Sequence, residues 1–384
     1  MVSINQFGEV LSTIQAPALA VHPDYCSRLR HRLSKCTRCA DRCPTKAIEW
    51  GERTLSIDPD KCTSCGICAS VCPNGVFEAL KPHNTEILGR VKELLHQNKE
   101  IVFECNPQRV DRETDTILVP CLGRIDESVL IGCIALGARA VFLTPGECQG
   151  CQNESGLSVI QETVNNCNQL LGSMGLSEPI SFRERVKTAE ELKRTSRREF
   201  LASITQEAKK LGAEVASNMI DNLQKKIPQQ SKKGSLPVCL PEKRELLLTA
   251  MSKLKKPADG VNKVIESPLF CQFGVKEGCT VCQMCAFFCP TGALSKIDEG
   301  GQFGLRFKVS FCTNCGLCQD ICYKQVVQLS NQVSLTKVLS QSSEVVLMRE
   351  RPVSLPWEQQ GSVRSEFAQS LARSLLEEKL KGKS

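Results

Sequence analysis

Between residues 84 and 183 the apolar positions alternate between two periods. Ile87, Leu88, Val91, Leu94 and Leu95 step by three and four, which predicts a helix over 85–98. Ile101-Val102-Phe103 and Thr116-Ile117-Leu118-Val119 are short apolar runs of strand type. A helix with Asp126 as its N-cap is predicted over 126–136, then a third strand at Ala140-Val141-Phe142-Leu143 and a helix over 157–171. Alternating strands and helices predict an open parallel sheet with helices on its faces. Further on, Leu201, Ile204, Ala208, Leu211, Val215, Met219, Leu223 and Ile227 mark an amphipathic helix over 196–227. Residues 228–238 read as a flexible linker, and 364–380 as a docking helix or a frayed tail.

Composition adds chemistry to this outline. The chain has 384 residues and 24 cysteines, about one in sixteen, with four histidines. It is too long for a secreted disulfide scaffold, no stretch of 18 apolar residues occurs, and the start has no basic segment leading into an apolar core. A cytoplasmic protein binding metal through thiolates is expected. The net charge of +7 is uneven: residues 181–265 hold 19 Lys or Arg against 10 Asp or Glu, and the rest of the chain has 30 against 32. Without interleaved aromatics this basic stretch reads as a solvated helical linker rather than a nucleic-acid surface. Ser196-Arg197-Arg198-Glu199-Phe200-Leu201 has the twin-arginine pattern, but it is internal and no apolar segment follows. No nucleotide-binding glycine loop is visible.

The cysteines fall into three sets. The last reads Cys279-x2-Cys282-x2-Cys285-x3-Cys289-Pro290, then Cys312-x2-Cys315-x2-Cys318-x3-Cys322. This resembles the bacterial two-cluster ferredoxin, in which the fourth cysteine of each run ligates the other cluster. The resemblance implies one [4Fe–4S] cluster on Cys279, Cys282, Cys285 and Cys322, and a second on Cys312, Cys315, Cys318 and Cys289. A zinc ribbon needs only two cysteine pairs. The first set repeats the module with one gap: Cys62-x2-Cys65-x2-Cys68-x3-Cys72-Pro73 is complete, but Cys36-x2-Cys39-x3-Cys43-Pro44 has Leu33 in place of its leading cysteine. Cys26 is the nearest substitute. Cys26, Cys36, Cys39 and Cys72 are then one ligand set, and Cys62, Cys65, Cys68 and Cys43 the other. A three-iron cluster or a non-cysteine ligand, with Cys26 merely buried, is the alternative. Each module is too small to fold on its apolar core alone, so cluster binding is expected to supply much of its stability.

In the middle stretch Cys105, Cys121 and Cys148 each lie at or just beyond a predicted strand's carboxyl end, and Cys151 shares the Cys148 loop. Ligands bind along that edge of an open α/β sheet. Four thiols can hold [2Fe–2S], [4Fe–4S] or zinc. Val119-Pro120-Cys121-Leu122-Gly123-Arg124-Ile125-Asp126, Leu136-Gly137-Ala138-Arg139-Ala140-Val141 and Gly146-Glu147-Cys148-x2-Cys151 resemble the iron–sulfur delta subunit of methyl-viologen-reducing hydrogenases. That resemblance implies a [2Fe–2S] cluster on Cys105, Cys121, Cys148 and Cys151, and electron exchange with a flavoprotein of the heterodisulfide reductase type. The family's second cysteine after the first is missing at Asn106-Pro107-Gln108, and its histidine is absent from the Cys148 loop. Cys133, Cys167, Cys239 and Cys271 are read as non-ligands.

The expected architecture is a central α/β domain (83–185) flanked by dicluster ferredoxin modules (1–82 and 266–330), with a basic helical linker (186–265) and a tail (331–384). The expected function is a non-catalytic electron-transfer subunit with four [4Fe–4S] clusters and one [2Fe–2S] cluster. Its expected partners are a heterodisulfide-reductase-type flavoprotein and a hydrogenase, formate-type dehydrogenase or reductase, with no nucleic acid and no integral membrane segment. The competing readings are a reductase with an open cluster site and a cluster-assembly scaffold or redox sensor.

Overall fold

The computed structural model describes residues 19–51, 53–105, 115–184, 236–254 and 263–350. The helix expected over 196–227, most of the 228–238 linker and the 364–380 tail lie outside these residues. The described chain is mixed α/β, with one parallel sheet and several small antiparallel ones.

In the first segment, β1 (Leu19–Val21) pairs with β4 (Phe77–Ala79), and β2 (Ile48–Trp50) with β3 (Leu55–Ile57), all antiparallel. Three short helices, α1 (Ser27–Arg30), α2 (Arg38–Asp41) and α3 (Ile67–Val71), carry or adjoin the cysteines. Val76, Phe77, Ile48 and four cysteine side chains form a small core of their own. A ring of partly buried side chains, among them Leu19, Val21, Trp50, Leu55 and Ile57, packs against it.

The helix α4 (Asn84–Leu94) leads into the parallel sheet, made of β5 (Glu100–Cys105), β6 (Thr116–Val119), β7 (Ala140–Thr144) and β8 (Ile180–Phe182) in the order β6-β5-β7-β8. Alternate residues Ile101, Phe103, Val141 and Leu143 are fully buried. The chain runs from β5 to β6 on one side and then crosses to β7 on the other. The strand order therefore reverses at β5, which makes a crevice beyond the carboxyl ends of the strands. Helix α5 (Glu127–Ala135) starts at the Asp126 cap, whose carboxylate accepts from the Ser128 and Val129 amides. Helix α6 (Ser155–Ser173) covers the sheet and leads to β8. The β8 strand was not read from the sequence, since only Ile180 of its three residues is buried.

Helix α7 (Glu242–Lys253) falls in the stretch read as linker, yet it packs along α5 and buries Leu247, Leu248 and Met251. Each such side chain contributes about 1.5–3 kcal/mol of transfer free energy. Beyond it, β9 (Val264–Glu266) pairs with β14 (Gln332–Ser334), and β10 (Gln272–Val275) with β13 (Val327–Ser330). The strands β11 (Leu294–Glu299), β12 (Gln302–Phe307) and β15 (Glu344–Glu350) form a three-stranded sheet. One apolar core runs from the parallel sheet through α7 to Phe270, Phe273 and Phe307. The last segment thus shares its core with the α/β unit, while the first has a separate one.

Candidate iron–sulfur sites

The cysteine loops repeat one backbone device. In Cys62–Cys68, Ser64 and Gly66 have φ of 56° and 79°; in Cys279–Cys285, Val281 and Gln283 have 54° and 58°; in Cys312–Cys318, Asn314 and Gly316 have 53° and 77°. Left-handed residues between right-handed ones turn successive amides into one concavity, a nest for an anion such as a cluster. The third residue after each remote cysteine is also left-handed: Lys46, Gly75, Gly292 and Gln325. The loop lacking a leading cysteine departs from the pattern, with Thr37 at φ −129°. Leu33 is 50% exposed there, whereas Cys26 is buried.

Five groups of four thiols result. At site 1, Cys26, Cys36, Cys39 and Cys72 line one small cavity. Burial and the neighbouring Cys72, Cys36 and Cys26 push the Cys39 thiol up to about 12. At site 2, burial and the nearby Cys65, Cys62, Cys39 and Cys43 raise Cys68. At site 3, Cys105, Cys121, Cys148 and Cys151 line the crevice beyond the strand ends, and Cys121 is pushed up to about 12 mainly by burial. At site 4, Cys289, Cys312, Cys315 and Cys318 share a cavity, and burial with Cys289 and Cys312 pushes Cys315 up to about 12. At site 5, burial and Cys282, Cys279 and Cys322 raise Cys285. Thiols crowded this way do not ionise together without a cation among them, and a cluster's iron provides that charge.

Backbone amides already point at several sulfurs: Ala47 N donates to Cys43 Sγ at 3.3 Å, Val76 N to Cys72 Sγ at 3.4 Å, Gly146 N to Cys105 Sγ at 3.0 Å and Asn153 N to Cys151 Sγ at 3.4 Å. Such bonds stabilise thiolate and tune cluster potential. The four-thiol chemistry and the amide nests fit iron–sulfur clusters. Cys133 and Cys167 lie in the apolar core and Cys239 is exposed, all apart from the five groups. Cys271 is fully buried, and its thiol lies within hydrogen-bonding reach of Cys312.

The groups also approach one another. Cys39 of site 1 acts electrostatically on Cys68 of site 2, and Cys285 of site 5 on Cys318 of site 4. Cys65 of site 2 packs with Cys121 of site 3, Ile67 and Val159. There Gly66 is so close to Arg124 that an added Cβ would stand 3.0 Å from the Arg124 Cβ. Arg124 is buried, and its Nε and Nη1 have no hydrogen-bond partner among the described residues. Sites 1 and 4 meet across a buried bridge: Thr313 Oγ1 donates to Asn74 Oδ1 at 3.1 Å, and Asn74 Nδ2 donates to Ser27 Oγ at 2.8 Å. Ser27 also hydrogen-bonds Cys315. Arg30 reaches across to the Phe288 carbonyl at 3.3 Å, and its charge acts on Cys289 and Cys315. These bridging residues were not read from the sequence, although Ser27 and Thr313 each directly follow a cysteine of the sets.

Residues 34–76 match the 4Fe-4S dicluster domain, and residues 104–212 match the delta subunit of methyl-viologen-reducing hydrogenase. The chain is 41% identical to a ferredoxin of Rickettsia felis over 54 residues, 14% of this chain and 47% of that protein. It is 39% identical to the pyruvate synthase subunit PorD of Thermotoga maritima over 54 residues, 14% of this chain and 52% of the relative. An uncharacterized ferredoxin of Methanocaldococcus jannaschii is 40% identical over 46 residues, 12% of this chain and 74% of its own length. Through this segment the chain belongs to the ferredoxins, and it is an iron–sulfur electron-transfer protein that binds [4Fe–4S]. It spans about half the length of the R. felis and T. maritima relatives. No solved structure matches it. No described helix is long and apolar enough to cross a membrane.

Proposed function

We propose that the chain is a five-site electron relay in which sites 1, 2, 4 and 5 each hold a [4Fe–4S] cluster and site 3 a [2Fe–2S] cluster. Two dicluster ferredoxin modules then flank the α/β unit. The bound clusters supply one-electron redox chemistry. The protein's own contribution is to fix their order, exclude water and orient amides and cations toward the sulfurs. The order is site 5, site 4, site 1, site 2, site 3. The observation that carries it is the series of contacts between successive sites: Cys285 with Cys318, Ser27 with Cys315, Cys39 with Cys68, and Cys65 with Cys121. Each contact joins one group of thiols to the next, so the series has two ends.

Site 3 is the end that exchanges electrons with a flavoprotein of the heterodisulfide reductase type, in keeping with the match to the hydrogenase delta subunit. Site 5 faces a hydrogenase, dehydrogenase or reductase partner. The relay works in the cytoplasm. Anaerobic stopped-flow reduction tests the order. A Cys121→Ala, Cys148→Ala protein should keep sites 1, 2, 4 and 5 reducible by dithionite while losing electron exchange with a flavoprotein partner. Undiminished transfer to flavin in that variant refutes site 3 as the flavoprotein end.

A further inference from the structure

Away from the thiol sites, His83 meets two carboxylates, and His22 approaches one of them. Glu78 is the middle residue of β4, His83 caps the start of α4, and Glu242 opens α7. His83 Nε2 stands 2.8 Å from Glu78 Oε1 and 3.1 Å from Glu242 Oε2. One donor atom from each of the three residues lies within 4.8 Å of the others. The second oxygen of Glu78 is 3.2 Å from His22 Nε2. On the far side of the ring, His83 Nδ1 is 2.7 Å from Thr85 Oγ1.

We propose that Glu78, His83 and Glu242 form a divalent-cation site, suited to zinc, that fastens α7 to the first segment. The donor set is one imidazole and two carboxylates, and a water completes the tetrahedron that zinc takes, while His22 holds the second oxygen of Glu78. Zinc bonds of about 2.0–2.2 Å place ligand atoms roughly 3.3–3.6 Å apart; the His83 contacts of 2.8 and 3.1 Å lengthen by a few tenths of an ångström to reach that, and all three donor atoms start within 4.8 Å of one another. Two carboxylates with one neutral imidazole carry a charge of −2, which a divalent ion balances. On the other side of the ring, His83 Nδ1 faces the Thr85 amide and hydroxyl at 3.4 and 2.7 Å, outer contacts that fix the ring's orientation. No thiol belongs to the set, so iron at the cysteine sites does not compete for it. The neighbouring Lys243 donates to the Ala69 and Ser70 carbonyls at 3.2 and 2.6 Å, so the site sits on an interface that α7 already makes with α3.

The test uses the full chain with its clusters loaded, in a Cys239→Ser background that removes the exposed thiol outside the five groups. Protein freed of loosely held metal is dialysed anaerobically against micromolar zinc chloride at pH 8, and zinc and iron are counted on the same samples. The expected result is one zinc per chain, bound about 100-fold more weakly after Glu242→Gln or His83→Asn, with iron unchanged. Zinc should also slow amide exchange at the start of α7 in the parent protein and not in the variants. Absence of zinc from the parent, or equal zinc in parent and variants, overturns the site and leaves an ion pair only. The iron count reports separately on the relay, so a failure there is not mistaken for a failure here.

Discussion

The bridge between sites 1 and 4 gives a sharp prediction, because Ser27, Asn74 and Thr313 are all buried. Replacing Asn74 by Ala deletes both of its hydrogen bonds and strands the Thr313 hydroxyl away from water, while Ser27 keeps its contact with Cys315. An unsatisfied buried polar group costs about 1–3 kcal/mol, less whatever water enters. The loss falls on the contact between the first and last segments rather than on the parallel sheet, which lies in a different part of the core. Hydrogen exchange read by mass spectrometry on anaerobic, cluster-loaded protein is the suitable assay, since it resolves local opening. Protection around Ser27 and Thr313 should fall by roughly 5-fold or more, at about 1.4 kcal/mol per factor of ten, while β5 and β7 are unaffected. In the fully reduced protein, magnetic broadening between the clusters at sites 1 and 4 should diminish, with the iron count unchanged. Unaltered exchange at both residues, or a uniform rise across the molecule, would refute the bridge as the link between these sites.

Other expectations follow from single residues. Cys26→Ala should lower the iron bound at site 1, by one atom for a three-iron product or four for full loss, and Leu33→Cys should fail to restore it because that side chain faces solvent in a loop without the left-handed turns; iron analysis with EPR checks both. Arg124→Met removes a buried cation between sites 2 and 3, so the potential of at least one of them should fall by tens of millivolts, with 59 mV for each tenfold change in a one-electron equilibrium, as read by potentiometric titration. Gly66→Ala forces a Cβ onto a φ of 79° and against Arg124, which should destabilise site 2 by about 1–2 kcal/mol and speed its loss of iron to a chelator. Anaerobic iron removal should unfold residues 19–79 before 263–350, because only the latter share the core of the parallel sheet; limited proteolysis follows the order.

The parallel sheet was legible because its strands and helices obey local periods, and the Asp126 cap sits where the pattern changes. The α7 helix was less so: its buried Leu247, Leu248 and Met251 stand among lysines, and the charge count hid the apolar face. Cysteine spacing named the thiol groups, since a loop's reach is a local property. It carried no information on which group lies beside which, because that depends on packing between segments more than 200 residues apart, as with Asn74 and Thr313. The Glu78, His83 and Glu242 cluster was invisible for the same reason, its members being scattered from β4 to α7.

The central claim is that five ordered cluster sites occupy one chain. Iron and acid-labile sulfide, counted anaerobically on the full-length protein and paired with EPR of stepwise reduced samples, test it most directly. Four cubanes and one two-iron cluster predict about 18 iron atoms per chain, with magnetic coupling between neighbouring clusters as reduction proceeds. About 8 iron atoms, zinc in the Cys105, Cys121, Cys148 and Cys151 group, or magnetically isolated clusters throughout would contradict the account.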